Sequence, residues 1–450
     1  MTHFAAANGT KAAQNTGNGR EAASPSRRTF LKRSTAATVA GSLAGTLAVS
    51  RAAQVAGTDV VRVGLVGVGG RGSKAAVQAM TADPRTRLVA VADAFEDRLE
   101  LGMEAIKRSE SVQEQVAVEP DHKFVGFDGY QHLLESGVDV VLLATPPHFR
   151  PLHLRACIEA GRHVFAEKPV AVDPTGVRSV LETTKLAKEK NLFIVSGLNS
   201  RYSFKMQQAV QRVHDGAIGD ITSLHSARFG GGVWVRPRKP GMTEMEYQMR
   251  NWYYFTWLSG DFNVEQFVHQ LDQAAWLMGD RYPVRCYSTG GRQARTGAEY
   301  GHIYDHFSSV FEYEGGARLF STTRHQRGCS NQIETSATGT KGVARFGRRR
   351  HTIEGENPWQ SSSASETDSH QLEHDAFFAA LREGQTINNG EYMAKSTMMA
   401  IMARMSAYTG QTLTWEQVMN SKLDLSPSAY SWDGTPPEAS VAIPGVTPFV

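Results

Sequence analysis

Cysteine is nearly absent. The 450 residues hold three, Cys157, Cys286 and Cys329, with no CxxC spacing, too few for a disulfide framework or a structural zinc site, so no metal is expected. No apolar run reaches the ~20 residues that a membrane span needs. Net charge is also small: 48 Lys and Arg against 45 Asp and Glu give +3. Seven of those cations lie in the first 53 residues beside one acid, Glu21, which leaves 41 bases against 44 acids in the rest. The charge that would suit nucleic acid therefore belongs to the N-terminus and not to the body. What remains is 41% apolar and 21% charged, a globular composition, and the length suits two domains at roughly 100–200 residues each.

The N-terminus reads as an address. Residues 1–25 are rich in Ala, Asn, Gly and Ser and are expected to be disordered. Ser26-Arg27-Arg28-Thr29-Phe30-Leu31-Lys32 follows, then a weakly apolar stretch from Ala36 to Val49 and a small-residue region at Ser50–Ala53. That order is a signal peptide of the twin-arginine kind. It predicts a periplasmic or otherwise exported protein whose first partner is the twin-arginine export machinery, a route that carries proteins already folded.

From Val60 the pattern is strand, glycine turn, helix. The apolar run Val60–Val66 leads into Gly67-Val68-Gly69-Gly70-Arg71-Gly72, and Ser73–Met80 has helical character. In that context Gly67 permits the tight turn, Gly69 lets the backbone approach a pyrophosphate, and Gly72 allows helix and strand to pack closely. Leu88–Ala92 reads as a second strand ending at Asp93, about 21 residues past Gly72, where a carboxylate would bind adenosine ribose hydroxyls and disfavour a 2′-phosphate. This favours NAD over NADP. Further strands are read at Lys123–Val125, Val138–Ala144, His163–Ala166 and Leu192–Ser196, with helices at Tyr130–Ser136, Leu152–Ala160 and Asp173–Lys190. The alternation predicts an α/β, doubly wound Rossmann sheet. Its fourth strand runs into Thr145-Pro146-Pro147-His148, and its fifth into Glu167-Lys168-Pro169, both at the carboxyl edge where ligands bind.

The second half alternates less. Strand-like segments at Ile221–Phe229, Val284–Thr289, Phe307–Tyr313 and Ala317–Thr323 follow a helix at Phe204–Asp215, which predicts an α+β partner domain with a largely antiparallel open sheet. One helix is read from Val264 to Met278, with an apolar face and, at i, i+4, i+7 and i+11, Glu265, His269, Asp272 and Trp276 on another. Helices at Gln371–Leu381 and Met393–Tyr408 are expected to pack back on the first half. The organisation predicted is a leader over 1–55, a NAD-binding domain over 58–198, an α+β substrate and oligomerisation domain over 199–425, and a tail over 426–450.

The glycine turn, Asp93, Thr145-Pro146-Pro147-His148 and Ala166-Glu167-Lys168-Pro169 together resemble the Gfo/Idh/MocA oxidoreductases, named for glucose–fructose oxidoreductase and inositol dehydrogenase. The resemblance covers roughly residues 58–425. It implies an NAD-dependent enzyme acting on a CH–OH group of a sugar or cyclitol, working as a dimer or tetramer. It places Lys168 beside the nicotinamide and the reacting hydroxyl, with Gly67, Gly69, Gly70, Arg71, Gly72, Asp93, Thr145, Pro146, His148, Glu167 and Lys168 on the cofactor. His269 becomes the acid/base, its ordinary pKa of about 6.5 being well placed, and Glu265 its orienter, where the family usually carries Asp. Asn199, Arg201, Trp252, Tyr253, Asp272, Tyr304, His306 and Arg324 are the candidate substrate contacts.

Export limits the reaction. No free NAD pool exists outside the cytoplasm, so the cofactor must be held tightly and regenerated on the enzyme. Oxidation of one sugar with reduction of another does this. So does a redox-neutral glycosidase cycle of oxidation, elimination, hydration and reduction. A non-catalytic NAD- or sugar-binding protein is the third reading, opposed by the intact Lys168, Glu265 and His269.

Overall fold

In the computed structural model, residues 60–347 and 350–450 are described. The paired arginines and the rest of the leader lie outside them. The first sheet has the order β3-β2-β1-β4-β5-β6, from β1 (Val61–Val66), β2 (Thr86–Asp93), β3 (Lys123–Val125), β4 (Val140–Leu143), β5 (His163–Ala166) and β6 (Ile194–Ser196). Every pairing in it is parallel. Strands β1, β4 and β5 are buried on both faces almost throughout, which is why they read as continuous apolar runs. The strand order reverses between β1 and β4, so the Gly67 turn and the Thr145 loop flank the crevice of the switch point.

The second sheet has nine strands, β14-β13-β12-β11-β7-β10-β9-β8-β15. They are β7 (Ile221–Gly230), β8 (Arg285–Gly291), β9 (His306–Glu312), β10 (Arg318–His325), β11 (Gln332–Gly339), β12 (Gly342–Gly347), β13 (His351–Gly355), β14 (Trp359–Gln360) and β15 (Leu413–Thr414). It is antiparallel except for the central β7–β10 pair, which is parallel. Strands β11–β13 lie where no strand was anticipated. One face packs on helices; on the other, Tyr287, Val310 and Phe320 stand in one cross-strand row, and Tyr287 and Phe320 are exposed.

The helix read from Val264 to Met278 is two pieces, Phe262–Glu265 and Val268–Leu277. Asp261, at φ +73°, caps the first piece through Phe262 N–H. The N–H groups of both Gln266 and Phe267 turn to the Phe262 carbonyl, which widens the turn and breaks the ladder. Glu265 therefore does not share a helix with His269.

The late helices return to the first sheet as expected. Ser369–Glu383 packs on Gly70–Ala82, and Gly390–Thr409 on Pro174–Glu189. Ile194 N–H donates to Ile387 O and accepts Asn389 N–H at its own carbonyl, at 3.0 and 2.8 Å. The last stretch of chain thus closes the free edge of β6.

Candidate active site

The glycine turn is built as a cradle. Gly67 has φ +92°, and a Cβ there would lie 2.7 Å from Thr145 N; at Gly72 a Cβ would lie 1.9 Å from Gly67 O. Gly69 and Gly70 have nothing within 4 Å in that direction. The helix that starts at Gly70 has no side-chain cap at Gly69, so its first N–H groups are left for an anion. These residues fit a pyrophosphate. Asp93 lies beside the turn, where its carboxylate accepts Val68 N–H at 2.8 Å and Phe95 N–H at 3.1 Å.

A cavity of about 360 Å³ follows the crevice. Gly67, Gly69, Gly70, Arg71, Asp93, Thr145 and Pro146 line it, as do Phe95, Arg98, Phe127 and Phe149. Its roof comes from the second half of the chain: Trp234, Arg236, Met249, Arg250 and Trp252. Trp252, expected on substrate, sits over the dinucleotide crevice. Arg250 spans the crevice: its guanidinium lies 4.0 Å from the Phe95 ring centre and 3.0 Å from Asp97 Oδ1.

The side chains of Arg71 and His148 are turned elsewhere than expected. Arg71 bonds Glu167, and donates to Glu373 at 3.2 Å and Gln78 at 2.6 Å. It still lines the cavity, and its side chain braces the Glu-Lys-Pro turn. His148 does not line the cavity. It is buried against Trp257, with Nε2 2.8 Å from the Tyr430 hydroxyl, and burial lowers its pKa to about 4.

Lys168 stands beyond the cavity, at the end of β5. Its Nζ donates to Glu265 Oε1 at 3.0 Å and to Glu265 O at 2.6 Å. Helix Gly390–Thr409 fixes both partners. Arg404 Nη1 donates to Val172 O and Gly260 O at 2.7 and 3.0 Å, and Ala400 O accepts from Asn263 Nδ2 at 2.9 Å. Arg150 Nη1 adds a bond to Pro169 O at 2.8 Å. Glu265 therefore pairs with the lysine, and among the described residues His269 has no hydrogen-bond partner to orient it. Burial, and after it the charge of Lys168, holds the His269 imidazole well below 6.5. The shift favours the uncharged imidazole, which suits a base, and takes the group away from the ordinary value of about 6.5 expected of it.

Of the expected substrate contacts, Tyr253 lies closest in chemistry to this pair. Its hydroxyl is buried without a partner. Burial, and then the Glu265 charge, raises its pKa well above 10, so it stays a donor. Asn199 Nδ2 bonds Ser369 Oγ at 2.7 Å and His370 Nδ1 at 3.3 Å. The others are committed to the fold. Arg201 grips Asp272 at 2.8–3.1 Å and stacks on Tyr392, while Ser396 Oγ donates to Asp272 at 2.8 Å. Tyr304 is buried with its hydroxyl on Ala442 O at 2.9 Å. His306 is half exposed, its ring 2.8 Å from Asp305. Arg324 stacks on Phe229 and donates to Ser330 O at 2.9 Å. Their polarity made them candidates, but their partners lie far away in sequence or inside turns.

The family model for the oxidoreductase family with an NAD-binding Rossmann fold matches residues 61–197. That for the GFO/IDH/MocA C-terminal domain matches residues 206–345. The chain belongs to the Gfo/Idh/MocA family. It is 26% identical to a myo-inositol 2-dehydrogenase of Thermotoga maritima over 220 residues, 49% of this chain and 55% of that one. It is 28% identical to a glycosyl hydrolase family 109 protein of Streptomyces coelicolor over 166 residues, 37% of this chain and 33% of that one. The chain thus matches about half the length of the first and a third of the second. Among solved structures, an aldose-aldose oxidoreductase from Caulobacter crescentus superposes with a TM-score of 0.62 at 16% identity, covering 79% of this chain and 99% of that chain. That likeness concerns the fold.

Proposed function

We propose that this Gfo/Idh/MocA protein is an exported oxidoreductase that holds NAD tightly and acts on a secondary hydroxyl of a sugar or cyclitol. The observation that carries the reading is the Lys168–Glu265 pair near the half-buried His269, whose pKa is held low, at the carboxyl edge of a sheet whose glycine turn fits a dinucleotide. When bound, NAD would supply a hydride acceptor. The chain's own residues do the rest. His269 takes the hydroxyl proton, since its imidazole is uncharged. Lys168 donates a hydrogen bond to the same oxygen and steadies the charge that builds there. Glu265 holds the ammonium in place, and the unpartnered Tyr253 hydroxyl orients a neighbouring sugar hydroxyl.

The crevice roof, clasped by Arg250 on Asp97 and Phe95, supports slow cofactor release. Slow release is what an exported, self-regenerating enzyme needs. The twin-arginine leader supports export to the periplasm or beyond. The exposed row of Tyr287 and Phe320 supports a homo-oligomer joined through the open sheet. The test is to purify the mature chain without added nucleotide, quantify NAD released on denaturation, and assay it against sugars and cyclitols. Less than a tenth of an NAD per chain, with turnover strictly dependent on added NAD, would overturn the tight-binding reading. The Streptomyces relative supports a second reading, a redox-neutral glycosidase. Release of nitrophenol from a p-nitrophenyl glycoside without an added acceptor would select it.

A further inference from the structure

Residues 421–450 contain no helix or strand, yet they are fastened along their length. Leu423 O accepts Thr175 Oγ1 at 3.0 Å and Leu425 N–H donates to Asp173 Oδ2 at 2.9 Å, both at the start of helix Pro174–Glu189. Trp432 O accepts Thr243 Oγ1 at 2.7 Å, and Ala442 O accepts the Tyr304 hydroxyl at 2.9 Å, both in the second half of the molecule. Between those anchors the segment presents two rings. Trp432 lies 4.9 Å from Phe95 and 4.5 Å from Phe127, centre to centre. Tyr430 lies 5.6 Å from Phe149, with its hydroxyl on His148.

Phe95, Phe127 and Phe149 line the crevice near Asp93, whereas Tyr430 and Trp432 stand behind them and do not. Asp93 marks the ribose end, so this aromatic wall is the adenosine pocket. The wall has little backbone of its own. Phe127 follows β3, a three-residue strand at the sheet edge, and Gly126 before it has φ +121°. Phe95 is in contact with both Arg250 and Trp432.

The structure assigns the segment 421–432 to the nucleotide site: Trp432 and Tyr430 are positioning residues that hold the aromatic wall against a bound adenosine and slow its release. The inference rests on the tight-cofactor reading above, and the experiment separates the two. NADH is bound to the full mature chain, excess NAD is added as a trap, and loss of NADH fluorescence gives the release rate. Dissociation constants for ADP-ribose and for nicotinamide mononucleotide are measured alongside.

Trp432→Ala should release NADH about ten times faster and weaken ADP-ribose by a similar factor, leaving nicotinamide mononucleotide unchanged. Trp432→Phe should restore most of the difference, which a merely structural loss would not do. Tyr430→Phe removes only a hydroxyl and should speed release about two- to threefold; it carries the test should Trp432→Ala not fold. Wild-type release rates and ADP-ribose affinity in both variants would overturn the inference. Release from the wild type within seconds, with ADP-ribose still weakened in Trp432→Ala, would overturn the tight-cofactor reading and leave the role of the segment standing.

Discussion

Lys168 holds Glu265 twice, through its carboxylate at 3.0 Å and through its main-chain carbonyl at 2.6 Å. The second bond does not depend on the Glu265 side chain. Lys168→Ala should lower turnover by ~10²–10⁴, the usual cost of losing a positioned proton-handling group. Glu265→Gln keeps the carbonyl and a neutral acceptor and should cost less than tenfold. Steady-state rates with bound NAD quantified in each variant check this; equal losses would mean that the carboxylate does more than hold the lysine.

His269 should act without the usual histidine titration. Burial favours its neutral form, so protonation, which disables a base, begins only well below 6.5. The pH–rate profile for hydroxyl oxidation should stay flat from neutrality through pH 6. His269→Ala should lose ~10²–10⁴ in rate while still binding NAD. A limb falling at 6.5 would mean a solvated imidazole.

Two glycines of the turn, Gly70 and Gly72, should fail differently. At Gly72 an added methyl meets Gly67 O, and overpacking of that kind costs about 1–3 kcal/mol. Gly72→Ala should lower the melting temperature of the nucleotide-free chain. Gly70 faces open space, so Gly70→Ala should melt like the wild type but bind NAD more weakly, its methyl standing where the phosphates go. Calorimetry and NAD titration distinguish the two.

Asp93 spends lone pairs on Val68 and Phe95 N–H. Asp93→Ser should therefore weaken NAD as well as narrow its advantage over NADP. Arg98 and Arg236 line the same cavity and stand ready to receive a 2′-phosphate. Dissociation constants for both nucleotides check this, and tighter NADP binding by the wild type would refute the assignment to Asp93.

Stability should fall on mild acidification. His148, His163 and His302 are lowered to about 4, and His153 and His325 to about 3, chiefly by burial. From pH 6.5 down to 5 the unfolded chain takes up protons on these rings and the folded chain does not, so unfolding gains. Asp261, raised to about 6, and Asp93, Asp173, Asp272 and Glu373, also raised by burial, act the other way, but they are fewer than the lowered histidines, which include His269, His351 and His374 as well. The melting temperature should drop by several degrees between pH 7 and 5. A constant value would show that these rings are hydrated.

The Rossmann half was legible because each of its signals is local. A buried parallel strand is a continuous apolar run, and a glycine turn between strand and helix needs no distant partner. The break at Gln266–Phe267 was not legible: nothing in the apolar spacing of Val264, Phe267, Val268 and Leu271 distinguishes one helix from two. Nor was the commitment of Arg201 to Asp272, 71 residues away, since a polar face looks alike whether it meets solvent, substrate or an ion-pair partner. The roof at Trp234–Trp252 and the aromatic buttress at Tyr430–Trp432 have no periodicity. They are ordered by what they touch and not by what they are.

The closing of β6 by Ile387 and Asn389 sets the order in which the molecule can be made. The Arg71–Glu373 contact spans 302 residues, and one flank of helix Gly70–Ala82 is covered by helix Ser369–Glu383. A ribosome that has finished the whole Rossmann sheet has still made a body with an open strand edge and a bare helix flank. Neither is sealed until residues 369–389 have been made. The first half is therefore translated as a waiting intermediate, and its vulnerable period is set by the time taken to synthesise the second half.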